Sequence, residues 1–494
     1  MRGMSVRLNL LWVRAADLIR RAWDSLRSNR KEKESNASND TIFCLKLPLF
    51  YLLIALPIVT ANAFILGPFQ AADEFNHFFR IVQISHGALI GQNDEIHPPG
   101  GEVDASVADI AELFAGVAFR ADHRVNAGSV QQLRSRFWSW PDKIYVGFVN
   151  TVVYPPYFYA PAVIAVKLSQ FLGTSILDAL TLARLAQGFA SIVVAYLALR
   201  LARFGRLTLF ILLVLPMTLS LDGSASQDGF LISCLALAFA LHTTSRPSEF
   251  AKFLIAIVLG AAVAAKPPYF PLFLLFLLPW LSAHRCANPR AQILKWAPLG
   301  LFVTISWLVF GFIPNKSPYL QDHGVSSSDQ IMFIAHNPDF ILKLACNTIK
   351  LELENYARGF IGILGWLDTP LSTSTYRFYG ILIASFIGVD ILIGGNNLKP
   401  AGRLIVLWAV LLSVGAVFMA LYLGWTPVGY EVVQGVQGRY FIPLAVFLPA
   451  AFTPQGALLL DRSRWTYRLA ELLPLLGGYG LWVVPRALMA RYWG

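Results

Sequence analysis

Long apolar runs, separated by short gaps rich in arginine and lysine, recur along nearly the whole chain. Phe43–Gly67 alone is long enough to cross a bilayer, for which about 20 apolar residues suffice. Hydrophobic residues make up 56% of the 494 positions and charged ones only 14%, where a soluble domain carries roughly 25%. Mean hydropathy is +0.56. A chain of this kind is an all-α polytopic membrane protein.

The net charge of +11 would suit nucleic acid in another context. Here the basic residues sit in short gaps between apolar runs, which is the positive-inside pattern, and no basic, aromatic-interleaved soluble domain is present to hold RNA or DNA. The clusters Arg200/Arg203/Arg206, Arg246/Lys252, Arg285/Arg290/Lys295, Lys399/Arg403 and Arg462/Arg464/Arg468 therefore belong on the cytoplasmic side. They all do so if the N-terminus is inside and Tyr154–Gly173 does not span. Its three prolines and Lys167 suit a juxtamembrane helix in the outer leaflet. Crossings then fall near 43–67, 180–201, 207–221, 228–244, 250–266, 269–283, 296–314, 376–395, 402–424, 441–460 and 471–486, about eleven in all, with the C-terminus periplasmic.

This divides the chain into a cytoplasmic N-terminal segment and linker, 1–42, and a transmembrane domain, 43–494. Residues 1–34 read as a basic amphipathic helix on anionic lipid, with a solvated tail as the alternative, and Ser35–Asp40 as a polar linker. Three large segments face outward, Pro68–Asp178, Asn315–Thr375 and Trp425–Tyr440, and long loops on a fixed scaffold tend to carry function. The four cysteines Cys44, Cys234, Cys286 and Cys346 show no CxxC spacing, so neither a disulfide nor a zinc site is expected.

Chemistry concentrates where the first crossing ends, in ADEFNHFFRIVQISHG (72–87). Asp73 and Glu74 are candidate general bases, because a carboxylate within reach of a hydroxyl can take its proton. The alternative is that the pair merely closes the helix at a wet interface. His77 follows Asp73 by one helical turn and Arg80 lies three residues on, so all three share one side of a helix. His77 orients a carboxylate, assists a metal or simply hydrogen-bonds. No third ligand is spaced to match and no DxD-like cluster occurs, so neither metal nor cofactor is expected.

Cations near the outer helix ends supply the other half of a site: Arg184, Lys266, Arg358 and Arg377 around GFIGILGWLDT, and Arg439 in GVQGRYFIP. Each alone reads as a snorkelling side chain, but several converging on one leaflet would bind a phosphate. Asp368, Gln437 and Tyr440 in the same segments complete the candidate substrate-binding set with Arg80, Arg184, Lys266, Arg358 and Arg439. Asp222 and Asp228 read as helix caps or site acids, caps being the commoner case. Trp138, Trp140, Trp366 and Trp425 read as interfacial belt residues or as sugar-stacking platforms.

The blocks ADEFNHFFRIVQISHG, KPPYFPLFLLFLLP, GILGWLDT with Pro370, and GVQGRYFIP resemble, in order and across residues 72–443, a bacterial membrane family catalogued as domain of unknown function 2142. That family is similar to the GT-C glycosyltransferases, which include protein O-mannosyltransferases and aminoarabinose transferases. The resemblance implies a GT-C-like helical bundle in the bacterial inner membrane and a polyprenyl-phosphate sugar donor. It further implies an outward-facing base within Asp73, Glu74 and His77, with Arg184 on the lipid phosphate. The expected activity is inverting sugar transfer to a hydroxyl on a glycan, lipid or protein, for a cell-envelope glycan. A transporter, flippase or polymerase of lipid-linked glycans is the alternative.

Overall fold

The computed structural model describes residues 36–93, 96–120, 122–244, 247–281, 288–315, 324–455 and 473–494. The expected amphipathic segment 1–34 lies outside the described residues, as does the cluster Arg462/Arg464/Arg468. Of the described residues, 72% are helical. Two small antiparallel ribbons are described, Gly100–Asp104 with Lys143–Gly147 and Ile363–Leu364 with Thr369–Pro370.

Five described helices are long and apolar enough to cross a membrane: Lys46–Ile65, Ile176–Leu201, Pro289–Asn315, Thr373–Ile393 and Pro400–Gly424. The first begins earlier, at Asn36, so helix replaces most of the expected Ser35–Asp40 linker. The expected crossing 471–486 falls in one continuous helix, Leu473–Tyr492; the other five are shorter or broken, and proline is the reason wherever they break. Residues 207–221 divide into Arg206–Leu213 and Pro216–Asp222. Pro216 has no N–H to return to the Leu212 carbonyl, and the Thr218 hydroxyl donates to that oxygen instead, at 2.7 Å. Pro267, Pro268 and Pro271 tighten Pro267–Leu277 into a 3-10 run, and Pro443 and Pro449 fall in the short turns Ile442–Ala445 and Leu448–Phe452. Asp228–His242 and Glu249–Ala265 are continuous but only 15 and 17 residues long.

Tyr154–Gly173 forms a 3-10 turn, Pro156–Tyr159, and a helix, Ala160–Leu172. Its 13 residues reach about 20 Å, short of the hydrocarbon core. Small residues let the central helices approach closely, as membrane packing requires. Gly188, Ala195 and Ala198 on Ile176–Leu201 are buried, as are Ala236 and Ala240 on Asp228–His242. Farther out, Asp390 sits inside Thr373–Ile393 and accepts from both the backbone and the hydroxyl of Thr208, each at 2.7 Å, tying two helices together.

Candidate functional site

After Ile65 the chain turns through Leu66–Ala72 and restarts as helix Glu74–Ser85. Asp73 caps that restart with left-handed backbone, φ 59°, a region that Asp tolerates better than most residues. The two acids then part company. The Asp73 side chain is 28% exposed, and its Oδ2 accepts from Arg439 Nη2 at 2.8 Å. Glu74 is wholly buried. Arg184 grips it with two prongs, Nε to Oε1 at 2.8 Å and Nη2 to Oε2 at 2.5 Å, and the Ala225 N–H adds a third bond at 3.0 Å.

Arg184 also donates to the carbonyls of Ala63, Leu66 and Gly67. All five of its N–H donors are engaged inside the protein. The expectation that Arg184 faces a lipid phosphate is therefore corrected: no donor is left over, and the pair with Glu74 straps the end of the first helix to Ile176–Leu201. Glu74 is likewise a strut and not a free base, because every approach to its carboxylate is filled.

Arg439 is the hinge of the exposed half. It is the second residue of the 3-10 turn Gly438–Phe441, which is pressed against helix Phe340–Gly362. A Cβ at Gly438 would lie 2.0 Å from the Tyr356 carbonyl, so only glycine fits this approach. From there the guanidinium reaches Gln437 Oε1 at 2.6 Å through Nε, Asp73 through Nη2, and Asp228 Oδ2 at 3.5 Å through Nη1. Asp228 Oδ1 in turn pairs with Lys266 Nζ at 3.0 Å. The result is an alternating row, Asp73–Arg439–Asp228–Lys266, in which Arg439 is 3% and Lys266 13% exposed.

Aromatic rings wall this row. Lys266 Nζ lies 5.0 Å from the Tyr440 ring and 5.9 Å from that of Tyr154, and Arg439 lies over Tyr440 at 5.5 Å, within cation–π range. The Tyr440 carbonyl accepts from the Tyr269 hydroxyl at 2.6 Å. Burial pushes the Tyr440 hydroxyl up to about 12, against the pull of Arg439 and Lys266. On the other side of Asp73, Phe69 stacks on Phe75 at 5.3 Å, Phe75 meets Trp366 at 5.6 Å, and Phe119 meets Trp366 at 5.4 Å. Phe69, Asp73, Phe119 and Leu367 are the four described non-glycine residues with positive φ, and all lie along this rim. Strain of that sort persists where packing overdetermines it.

His77 and Arg80 stand behind the row. The His77 backbone N–H donates to the Asp73 carbonyl at 3.0 Å, but its ring pairs elsewhere: Nδ1 is bonded to the Tyr159 hydroxyl at 2.6 Å and the ring lies over Tyr154. Burial lowers it to about 4, although Asp228 and Asp73 pull the other way, so it is neutral at physiological pH. Arg80 is fully buried and donates to Gln83 Oε1 and to the carbonyls of Leu89 and Tyr154. Burial lowers it to about 10. It braces the Tyr154 wall from inside and is closed to substrate.

Two more expected members lie elsewhere. Arg358 pairs with Glu354 and covers Tyr376, apart from the row. Asp368 is held by Arg491 through Nη2 at 2.7 Å and Nε at 3.1 Å, and Arg491 also donates to the carbonyls of Val117 and His123. Asp228 was the less favoured reading of its position, yet it caps nothing. Gln227 takes the N-cap place, and the Asp228 N–H bonds to Ser226. Tyr154, Tyr159, Tyr269 and Arg491 carried no signal in the sequence beyond the prolines and aromatics around them.

The sequence profile of predicted membrane proteins with domain of unknown function 2142 matches residues 56–448, well over half of the chain. The protein belongs to the DUF2142 family. The match spans Asp73, Asp228, Lys266 and Arg439, so the row lies wholly within the DUF2142 region. No curated protein and no solved structure matches the chain.

Proposed function

We propose that this DUF2142 protein is a membrane glycosyltransferase that moves a sugar from a polyprenyl-phosphate donor to a hydroxyl acceptor at the periplasmic face of the inner membrane. One observation carries the reading. Among the four charges of the row the acid Asp73 is the most open, at 28%, while both cations behind it are held nearly closed. A base must meet an acceptor hydroxyl, whereas groups that stabilise a departing phosphate act best when fixed and shielded from water.

In this reading the acceptor O–H gives its proton to Asp73. Its oxygen bonds to the anomeric carbon from the side opposite the phosphate. The bond between that carbon and the phosphate oxygen breaks with its electron pair on oxygen, and Lys266 and Arg439 stabilise the anion released. A single displacement of this kind inverts the anomeric centre. Asp228 positions both cations; Gln437 holds the Arg439 fork; Glu74 and Arg184 fix the turn that presents Asp73. The rim of Phe75, Trp366 and Phe119 offers aromatic surface for the sugar.

The test is release of polyprenyl phosphate in vesicles that hold the purified protein, supplied with lipid extract from the native membrane and with acceptor glycans. Wild type should release it and Asp73→Asn should not, with insertion unchanged. Movement of an intact lipid-linked glycan across the bilayer, without release, would make the protein a carrier and sink this assignment.

A further inference from the structure

Helix Phe340–Gly362 lies between two spans, Pro289–Asn315 and Thr373–Ile393, and carries three ridges of side chains at helical spacing. Leu344, Thr348 and Gly359 are buried against the protein. Lys343, Asn347, Lys350 and Glu354 form a polar ridge, from which Lys343 and Asn347 reach Glu431. Leu342, Cys346, Ile349 and Leu353 form the third ridge, and it is apolar. Leu342, Ile349 and Leu353 are 72%, 55% and 59% exposed, and Cys346 is exposed as well. Leu351, also exposed, falls between the polar ridge and the buried one.

An open apolar ridge is ordinary on a span, which lipid surrounds, but needs a reason on a helix between spans. Direction supplies it. Leu344 packs in one cluster with Tyr422 and Val433, and the Tyr356 ring meets that of Phe418 at 5.6 Å. Leu344 and Tyr356 are about 18 Å apart along their helix, whereas Phe418 and Tyr422 are only about 6 Å apart along the span Pro400–Gly424. Helix Phe340–Gly362 therefore lies across the end of that span, not along it. A helix set crosswise there lies in the plane of the membrane surface.

In that plane a helix meets three surroundings: protein on one side, water above and lipid below. The three ridges match them. Each apolar position precedes a polar one by a single residue, so the two ridges stand about 100° apart around the axis, and lipid and water can each meet their own. Lys343 and Lys350 can lay their stems along the apolar edge and hold their ammonium groups among the headgroups. A second copy of the chain is a poor fit. A stable interface uses about 20–30 residues a side, and this ridge offers four on a single helix.

We propose that helix Phe340–Gly362 docks in the lipid surface, with Leu342, Cys346, Ile349 and Leu353 sunk among the upper acyl carbons and the polar ridge in water. The consequence for the charged row is one of depth. The last turn of this helix abuts the turn that carries Arg439: a Cβ at Gly359 would lie 3.2 Å from the Gly438 nitrogen. Docking thus holds Arg439 near the level of the headgroups, where a lipid phosphate lies. The placement stands whether or not the charged row transfers a sugar.

The experiment uses the full-length protein in phosphatidylcholine nanodiscs, with Cys44, Cys234 and Cys286 replaced by alanine and a bimane fluorophore on Cys346. The comparison is a bimane at Lys350→Cys in a chain that has Cys346 replaced as well. Lipid carrying a nitroxide on an upper acyl carbon should quench the Cys346 label several-fold more than the Lys350→Cys label, and dissolved iodide should rank them the other way. A label at Ile349→Cys should follow Cys346. Equal quenching of the two ridges overturns the proposal, and so does a Cys346 label shielded from both quenchers, as a second copy would shield it. If these chains fail to fold, the unaltered chain decides. A phospholipid bearing a diazirine on an upper acyl carbon should then insert into Leu342, Ile349 or Leu353, and insertion at none of them overturns the proposal.

Discussion

Asp73 and Glu74 are neighbours in sequence and strangers in the fold, and that separation organises the chemistry. One carboxylate looks into the site beside Arg439; the other is locked on Arg184. Adjacency alone could not reveal this, because it depends on the left-handed backbone at Asp73 and on an arginine 110 residues away. Asp73→Asn keeps a side chain that tolerates this backbone, so it should cost at least about 10²-fold in product release with an unchanged melting temperature. Near wild-type release would refute the base assignment. Glu74→Gln should act in the opposite way, lowering stability by about 3–5 kcal/mol through the uncompensated Arg184 charge, read as a drop in melting temperature. His77 adds a pH dependence of known sign. Between pH 6.5 and about 4 the unfolded chain takes up a proton that folded His77 refuses, so stability falls as pH falls across that window, by up to about 3 kcal/mol. Melting curves of His77→Gln should be flatter there, and identical slopes for the two proteins would rule this out.

At the scale of elements, hydropathy and basic gaps located most of the apolar helices, and the prolines that break several of them were visible as residues but not in their effect. Whether Pro216 kinks, splits or begins a helix depends on which group answers the Leu212 carbonyl, and that group is Thr218. The turn that carries Arg439 was legible as a motif; its seat against Phe340–Gly362 was not, since it rests on the missing side chain of Gly438. Gly438→Ala should therefore displace Arg439 and cost about 1–3 kcal/mol by overpacking, measured as lowered melting temperature together with lost activity. Helix Leu473–Tyr492 is docked by Arg491 onto both the Asp368 loop and the segment Val117–His123. Arg491→Ala should raise hydrogen exchange in both segments at once. Exchange confined to the helix itself would show that they are held independently.

For the molecule as a whole, composition was enough to place the chain in a membrane, while the partners of its buried charges were beyond reach because they join residues 38 to 366 positions apart. Orientation can be tested directly. Phe119 is 69% exposed on the aromatic rim, so Phe119→Cys, in a chain with Cys44, Cys234, Cys286 and Cys346 replaced, should react with an impermeant maleimide added outside intact spheroplasts. Reaction only after lysis would place the rim in the cytosol. The alternating row carries a further implication. Its two acids and two cations cancel, and what positive field survives is muffled by surrounding protein. Such a site exerts little pull at a distance. Arrival of an anionic lipid would then be governed by lateral diffusion and by fit at close range, and turnover under dilute donor should hardly change as ionic strength is raised.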